Sequence, residues 1–380
     1  MAWPSAGIYP GCFGVGCSLF GPVVQWDKTF SKKKRGGMKI PILYGPRDLR
    51  IEEQPLDTSR LQPDEIWVET RISALKIGTD RGNYEGAERV PGAPDYPRWV
   101  GDSNLGLVRG VGSAVTRVKV GDRIVTRQPH QSEYITQESA SLVKVPVNVA
   151  DEDAVYAHLY ALSAHCYHKA HFKAGETVAV VGLGTLGLGA VAVGPLFGAR
   201  VVAIGNDAFR LDLAQRMGAH ATLLYNDPDL QTKLQEFSNG DGIDLVVLTA
   251  NPWPAYRTAV EIVRPNGRVS IVSLLGRGEA DLDFNPLSMQ YFYIKGISLI
   301  AVSGPAGYLY PNNSNQPHLT ADHYHADRTA AHILSLMADG KLEPKRLITH
   351  RFHYRDMAQA YEMAYAREKS MLGVIFTWQD

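Results

Sequence analysis

The stretch Thr177-Val178-Ala179-Val180-Val181-Gly182-Leu183-Gly184-Thr185-Leu186-Gly187 constrains this chain more than any other. Thr177 and four apolar residues read as a strand buried on both faces, and a G-x-G-x-x-G spacing then opens an apolar helix. Each glycine has its own physical task. Gly182 permits a tight turn, Gly184 lets a pyrophosphate approach the backbone, and Gly187 lets the helix pack closely on the strand. The helix start, with Thr185 and Leu186 in its first turn, offers unpaired N–H groups and a partial positive charge to phosphates. A second apolar strand follows at 201–204, so the motif lies in a strand–helix–strand unit. That context predicts a dinucleotide site; a glycine-rich packing turn is the reading without a ligand.

The end of the second strand bears on which dinucleotide. A site selective for NAD places a carboxylate there for the ribose 2′-hydroxyl. Here the position is Gly205, followed by Asn206, Asp207 and, slightly later, Arg210. Glycine repels nothing, and Asn206 and Arg210 can donate to a 2′-phosphate. NADP is therefore the expected cofactor. NAD stays open, because Asp207 can turn inward to the ribose.

From Met38 to about Val149 the pattern is of short strands broken by Gly, Pro and Asp, among them 66–72, 107–111 and 123–126. Near Asp151 helices begin to alternate with compact apolar strands at 177–181, 201–204, 244–248 and 268–272, as a doubly wound parallel sheet requires. A helix at about 327–337 and a closing strand at 372–376 end the chain. The expected organisation is an α/β protein with a flexible extension at 1–37, a mainly β domain at 38–155 completed by 305–380, and a cofactor-binding domain at 156–304. Met38 is the expected functional start, after the basic cluster 32–35.

Lys plus Arg and Asp plus Glu number 39 each, giving zero formal net charge and no general attraction for nucleic acid or an anionic membrane. No apolar run reaches the length of a membrane span. Three cysteines, Cys12, Cys17 and Cys166, are too few for a disulfide framework, so a cytoplasmic location is expected.

Beyond the glycine motif, Gly78-Thr79-Asp80, the run Val120-Gly121-Asp122-Arg123-Ile124-Val125, Glu133-Tyr134 and the ending from Ile348 through Tyr361 resemble the medium-chain dehydrogenase/reductase superfamily. The likeness covers nearly everything from Met38 onward. It implies a GroES-like, mainly β catalytic domain plus a Rossmann domain, a small-molecule substrate and a homo-oligomer, dimer or tetramer. It also implies where a catalytic zinc would sit, and there the sequence departs. The usual cysteine is Ile77, the Gly-His-Glu landmark is Gly101-Asp102-Ser103, and the third ligand position falls on His158. The four-cysteine structural lobe is missing. Catalytic zinc takes about three protein ligands, and only Asp102 and His158 remain as donors, with Cys166 two helical turns beyond.

The resulting expectation is alcohol–carbonyl interconversion by hydride transfer without catalytic zinc, on a polyol, sugar-like or otherwise polar substrate. His158 would act as general acid/base, Asp102 would orient it and raise its pKa, and Thr79 would relay a proton. Read blandly, His158 is a packed helix residue and Asp102 a turn residue. Two other functions compete: NADPH-dependent reduction of an enone or quinone double bond, and cofactor binding without catalysis as a sensor.

Overall fold

In the computed structural model, residues 37–87, 95–302 and 326–379 are described. The expected extension at 1–37, apart from Gly37, and the Gly/Pro/Asn-rich segment after Ser303 lie outside them.

Strand β1 (Met38–Leu43) pairs antiparallel with β2 (Leu49–Gln54). The long β3 (Glu65–Leu75) alternates buried and half-buried positions until its last residues, which are wholly buried and deliver the chain to helix α1 (Ile77–Tyr84). The short β4 (Arg98–Trp99) adds to β1. Then come β5 (Asn104–Val111), β6 (Arg123–Thr126), β7 (Glu133–Gln137) and β8 (Leu142–Lys144), all antiparallel to their partners. Helices α2 (Asp151–Ala154) and α3 (Ala157–Lys169) lead out of this β-rich part.

The alternating half follows as β9 (Thr177–Val181), α4 (Thr185–Leu196), β10 (Arg200–Gly205), α5 (Ala208–Arg216), β11 (Ala221–Leu224), α6 (Leu230–Phe237), β12 (Ile243–Leu248), α7 (Trp253–Ile262), β13 (Val263–Ile271) and β14 (Ser298–Ala301). All six strands are parallel in the order β11-β10-β9-β12-β13-β14. That is the doubly wound order whose direction reverses between the first and fourth strands, the place where such sheets bind ligands. Strands β9 and β12 are buried almost throughout, which is why they read as unbroken apolar runs. The fold class expected from sequence, a GroES-like β part with a Rossmann sheet, is the observed one.

After helix α8 (Ala326–Ala338) come β15 (Ile348–His353), helix α9 (Met357–Tyr365) and β16 (Gly373–Thr377). Strand β16 pairs antiparallel with β3, so the last strand joins the sheet of the β-rich part, ordered β15-β16-β3-β5-β6-β8 with β7 on β3, while β1, β2 and β4 form a separate sheet. No helix among the described residues is long and apolar enough to cross a membrane.

Helix α3 ties the halves together. Its buried side chains share one apolar core with Ile72 and Leu105 of the β-rich sheet and with Val178 and Val180 of β9. Against α4 it packs at backbone distance. A Cβ on Gly189 would stand 2.6 Å from Ser163 Oγ, and one on Gly194 would stand 2.4 Å from the Tyr167 hydroxyl. The hydroxyls of Ser163 and Tyr167 donate to the α4 carbonyls of Leu186 and Ala190, at 2.9 and 2.7 Å.

Candidate active site

The glycine loop has the geometry its spacing predicts. Gly182 turns with φ of +98°, a conformation that side chains resist, and its N–H donates to the Ile204 carbonyl of β10. Its own carbonyl accepts from the Thr249 hydroxyl at 2.8 Å. An added Cβ on Gly187 would stand 1.9 Å from the Gly182 oxygen, so the helix lies on the turn at a distance only glycine allows. Gly184 is the N-cap of α4, and a Cβ there would meet nothing within 4 Å. The three glycines thus divide into two that close the backbone and one that faces open space. Thr185 and Leu186 occupy the first turn, half-buried, and no side chain caps it. A pyrophosphate fits this cradle, held by the first-turn N–H groups.

At the end of β10, Gly205 is buried and Asn206 is exposed. Asp207 caps α5, its carboxylate accepting from the Arg210 N–H at 3.0 Å. The Arg210 guanidinium donates to the Leu183 carbonyl in the glycine loop at 3.2 Å and to the Met371 carbonyl just before β16 at 3.1 Å. An arginine has five donors, so these two bonds leave others for a ligand. Burial lowers its pKa, against the pull of Asp207.

The second set of residues gathers where β3 meets α1. Lys76 is the N-cap of α1, its N–H donating to Asp80 Oδ2 at 2.8 Å while the Asp80 N–H returns a bond to the Lys76 carbonyl. The other Asp80 oxygen accepts from Gly101 N–H at 3.3 Å. Asp80 is thus a fastening group for two backbone segments. Burial first, and then the Asp102 charge, push its pKa up to about 7. Gly101 has a φ of +83°, a region that side chains resist, and a Cβ there would also lie 2.4 Å from the ring of His130. His130 Nδ1 bonds the Ser73 hydroxyl at 2.8 Å, which also accepts from Trp378 Nε1 at 2.9 Å.

Asp102 does not pair with His158. Its Oδ1 lies 2.7 Å from the Lys76 ammonium and its Oδ2 3.4 Å from Arg127, and the two cations hold its pKa down near 2 against the cost of burial. His158, 7% exposed near the start of α3, feels burial as the dominant influence, with Arg127 and Lys76 adding to it and Asp102 only partly opposing. Its pKa falls to about 3. The expected pairing of Asp102 with His158 is not formed, and the upward pull of Asp102 on the imidazole is outweighed by desolvation and by the Arg127 and Lys76 charges. The ring bonds the Val125 backbone, and its Nε2 is buried with no hydrogen-bond partner. A neutral imidazole bonded in this way carries its proton on Nδ1 and a lone pair on Nε2. Thr79 stands exposed in the first turn of α1.

The positions where the resemblance places zinc ligands offer few donors here. Ile77 offers no donor, Asp102 is bound to two cations, and Cys166 turns away, its thiol donating to the Leu162 carbonyl. Among the described residues no three His, Cys, Asp or Glu side chains gather as a metal would require. Lys76, Arg127 and His130 escaped the sequence reading. Lys76 left a legible signal, a charge closing the buried run Ser73-Ala74-Leu75, whereas His130 left none.

Cradle and cluster are joined by α3. Ser163, which touches the first turn of α4, lies five residues beyond His158, about 7.5 Å along a helix that rises 1.5 Å per residue.

The family profile described as "Zinc-binding dehydrogenase" matches residues 185–308. A sorbitol dehydrogenase of Bacillus subtilis is 24% identical over 327 residues, covering 77% of this chain and 91% of the relative. Galactitol-1-phosphate dehydrogenase of Escherichia coli superposes with a TM-score of 0.72 at 21% identity, covering 89% of this chain and 99% of the other. A putative zinc-binding dehydrogenase of Sinorhizobium meliloti, bound to NADP, superposes with a TM-score of 0.69 at 19% identity, covering 90% and 100%.

Proposed function

We propose that the chain is an oxidoreductase of the medium-chain dehydrogenase/reductase superfamily, and that it interconverts a polar alcohol and its carbonyl with NADP and without catalytic zinc. The cofactor preference is carried by one observation: Asp207, the carboxylate next to the second strand's end, is spent as the cap of α5. Gly205 presents no charge, and Arg210 lies beside the glycine loop with donors to spare for a 2′-phosphate.

The substrate class draws support from relatives named for polyols and sugar alcohols, and from a cluster of Lys76, Asp102, Arg127 and His158, of which His158 shares α3 with Ser163, bonded to the Leu186 carbonyl of the cradle. Bound nicotinamide would give or take the hydride. In this reading Asp102 fixes Lys76 and Arg127, His158 is a neutral acceptor for a substrate hydroxyl, and Thr79, exposed in the first turn of α1, is the relay hydroxyl. The zinc-free reading rests on the donor set described above. Exposed Leu287, Met289, Tyr293 and Ile294, close in sequence to edge strand β14, support a homo-oligomer.

The test is threefold. NADPH is expected to bind more tightly than NADH in fluorescence titrations. Polyols and secondary alcohols are expected to turn over in preference to enones, and the purified protein to hold less than stoichiometric zinc. Tighter NADH binding, or about one zinc per chain, refutes the corresponding part.

A further inference from the structure

Lysine is a costly residue at the inner end of a buried strand, since its charge must be drawn out of water. Lys76 nevertheless follows three buried residues, keeps 15% of its side chain exposed, and is anchored at two points. The Asp80 carboxylate grips its backbone N–H, and Asp102 grips its ammonium at 2.7 Å. An ammonium has three donors and Asp102 occupies one. Within the field of the same charges lies His158 Nε2, an acceptor buried without a partner. A fixed donor near an unsatisfied acceptor is the complement of a hydroxyl group, which both accepts and donates.

We propose that Lys76 is the catalytic cation of this site: its ammonium binds the substrate's carbonyl or hydroxyl oxygen, so that a lysine held by Asp102 does the polarising that a metal does elsewhere in the superfamily. The inference rests on the hydride-transfer reading given above. In the reducing direction the carbonyl π bond breaks, its carbon takes the hydride and its oxygen takes a proton from the Lys76 ammonium, which regains one from solvent. The two electrons come from the reduced nicotinamide. In the other direction these steps reverse: Lys76 releases a proton to solvent and takes up the one that the substrate hydroxyl gives. A fixed charge–oxygen contact made where negative charge develops is the kind of interaction whose loss costs about 100- to 1000-fold in turnover.

The experiment compares the full-length wild type with Lys76→Met and Lys76→Arg. Isobutyrate, a carboxylate that places an anionic oxygen where the reacting oxygen would lie, is titrated calorimetrically into each protein with and without saturating NADP. Melting curves are recorded alongside. The wild type is expected to bind isobutyrate, Lys76→Met to lose at least about tenfold in affinity, one decade being a modest loss for a charge-assisted contact, and Lys76→Arg to regain part of it. NADPH affinity is expected to be little changed in both variants. Isobutyrate binding by Lys76→Met equal to wild type, or none by the wild type, overturns the inference. Absence of NADPH binding by the wild type defeats the function proposed above instead, and Lys76 is then judged on isobutyrate binding by the protein alone. Lys76→Arg keeps the charge if Lys76→Met fails to fold.

Discussion

Replacing Arg210 by methionine separates two jobs that one side chain can do. The guanidinium ties the glycine loop to the segment before β16 through the Leu183 and Met371 carbonyls, at 3.2 and 3.1 Å. Methionine keeps an apolar stem and removes both bonds. At a net value of about 0.5–1.5 kcal/mol each, reduced by partial exposure, the fold should lose about 1–2 kcal/mol. If the same guanidinium also holds a 2′-phosphate, a charge-assisted bond of about 1.5–3 kcal/mol disappears as well, raising the Kd for NADPH about 10- to 150-fold. NADH has no 2′-phosphate, so it should weaken only by what the looser loop costs. The assay is the fluorescence of each reduced cofactor titrated with wild type and variant, with the ratio of the two affinities as the readout. Equal losses for NADPH and NADH would mean that Arg210 is a structural tie alone, and the argument for NADP would fall with it. Asp207→Asn provides the control, because it keeps an acceptor for the α5 cap while removing the charge: NADPH should bind at least as well as to the wild type.

Gly187→Ala should abolish tight binding of both cofactors alike and lower the melting temperature, since its Cβ would stand 1.9 Å from a backbone oxygen that cannot yield; unchanged titrations would refute the packing role of this glycine. The buried histidines predict an acid limb of stability. His130 and His158 have pKa values pushed to about 3 in the fold, below the ordinary imidazole value. Between that ordinary value and about 3 the unfolded chain binds protons that the folded chain refuses, so the stability these rings contribute is complete above about pH 6.5 and is lost as the pH falls toward 3. Urea unfolding from pH 7.5 to 4.5 should show the decline, and His158→Asn should make it shallower; parallel profiles for wild type and variant would count against the buried neutral imidazole. Asp80 acts in the opposite sense. Its raised pKa penalises the fold increasingly as the pH climbs from the ordinary carboxylate value to about 7, over the range in which the histidines act, so Asp80→Asn should steepen the acid-side decline.

The cofactor half was legible because its physics is local. A parallel strand buried on both faces must be apolar along its length, and a phosphate cradle needs glycines at fixed offsets, so β9, β10 and the loop between them follow from residues adjacent in the text. The reacting half was legible in position but not in pairing. Asp102 and His158 fall on recognisable landmarks, yet which cation or ring a carboxylate meets depends on how β3, the turn at Gly101 and β6 approach one another. From the sequence alone, one carboxylate faces one imidazole. In the fold, Lys76 and Arg127 reach Asp102 first, and burial dominates His158. His130 was illegible for a further reason, since its place depends on a positive φ at Gly101 that no residue near His130 announces.

A lysine–aspartate pair at the end of a buried strand is hard to explain by stability alone. Replacing such a pair by apolar residues of similar volume is commonly neutral or stabilising, and the surrounding residues Ser73, Ala74 and Leu75 show that this strand end is otherwise closed to solvent. The backbone at Lys76 would be held by Asp80 whatever the side chain, because that bond comes from the peptide N–H. What the ammonium adds is therefore a fixed positive charge, and Asp102 holds it in place without covering all three donors. The neighbouring imidazoles cannot supply such a charge at neutral pH, since burial keeps both unprotonated. Cation and acceptor are thereby assigned to different residues, with Lys76 carrying the charge and His158 the lone pair. The charge then sits at the N-cap of α1 and the lone pair near the start of α3, whose middle turns are packed at backbone distance on the helix that starts at the cofactor loop.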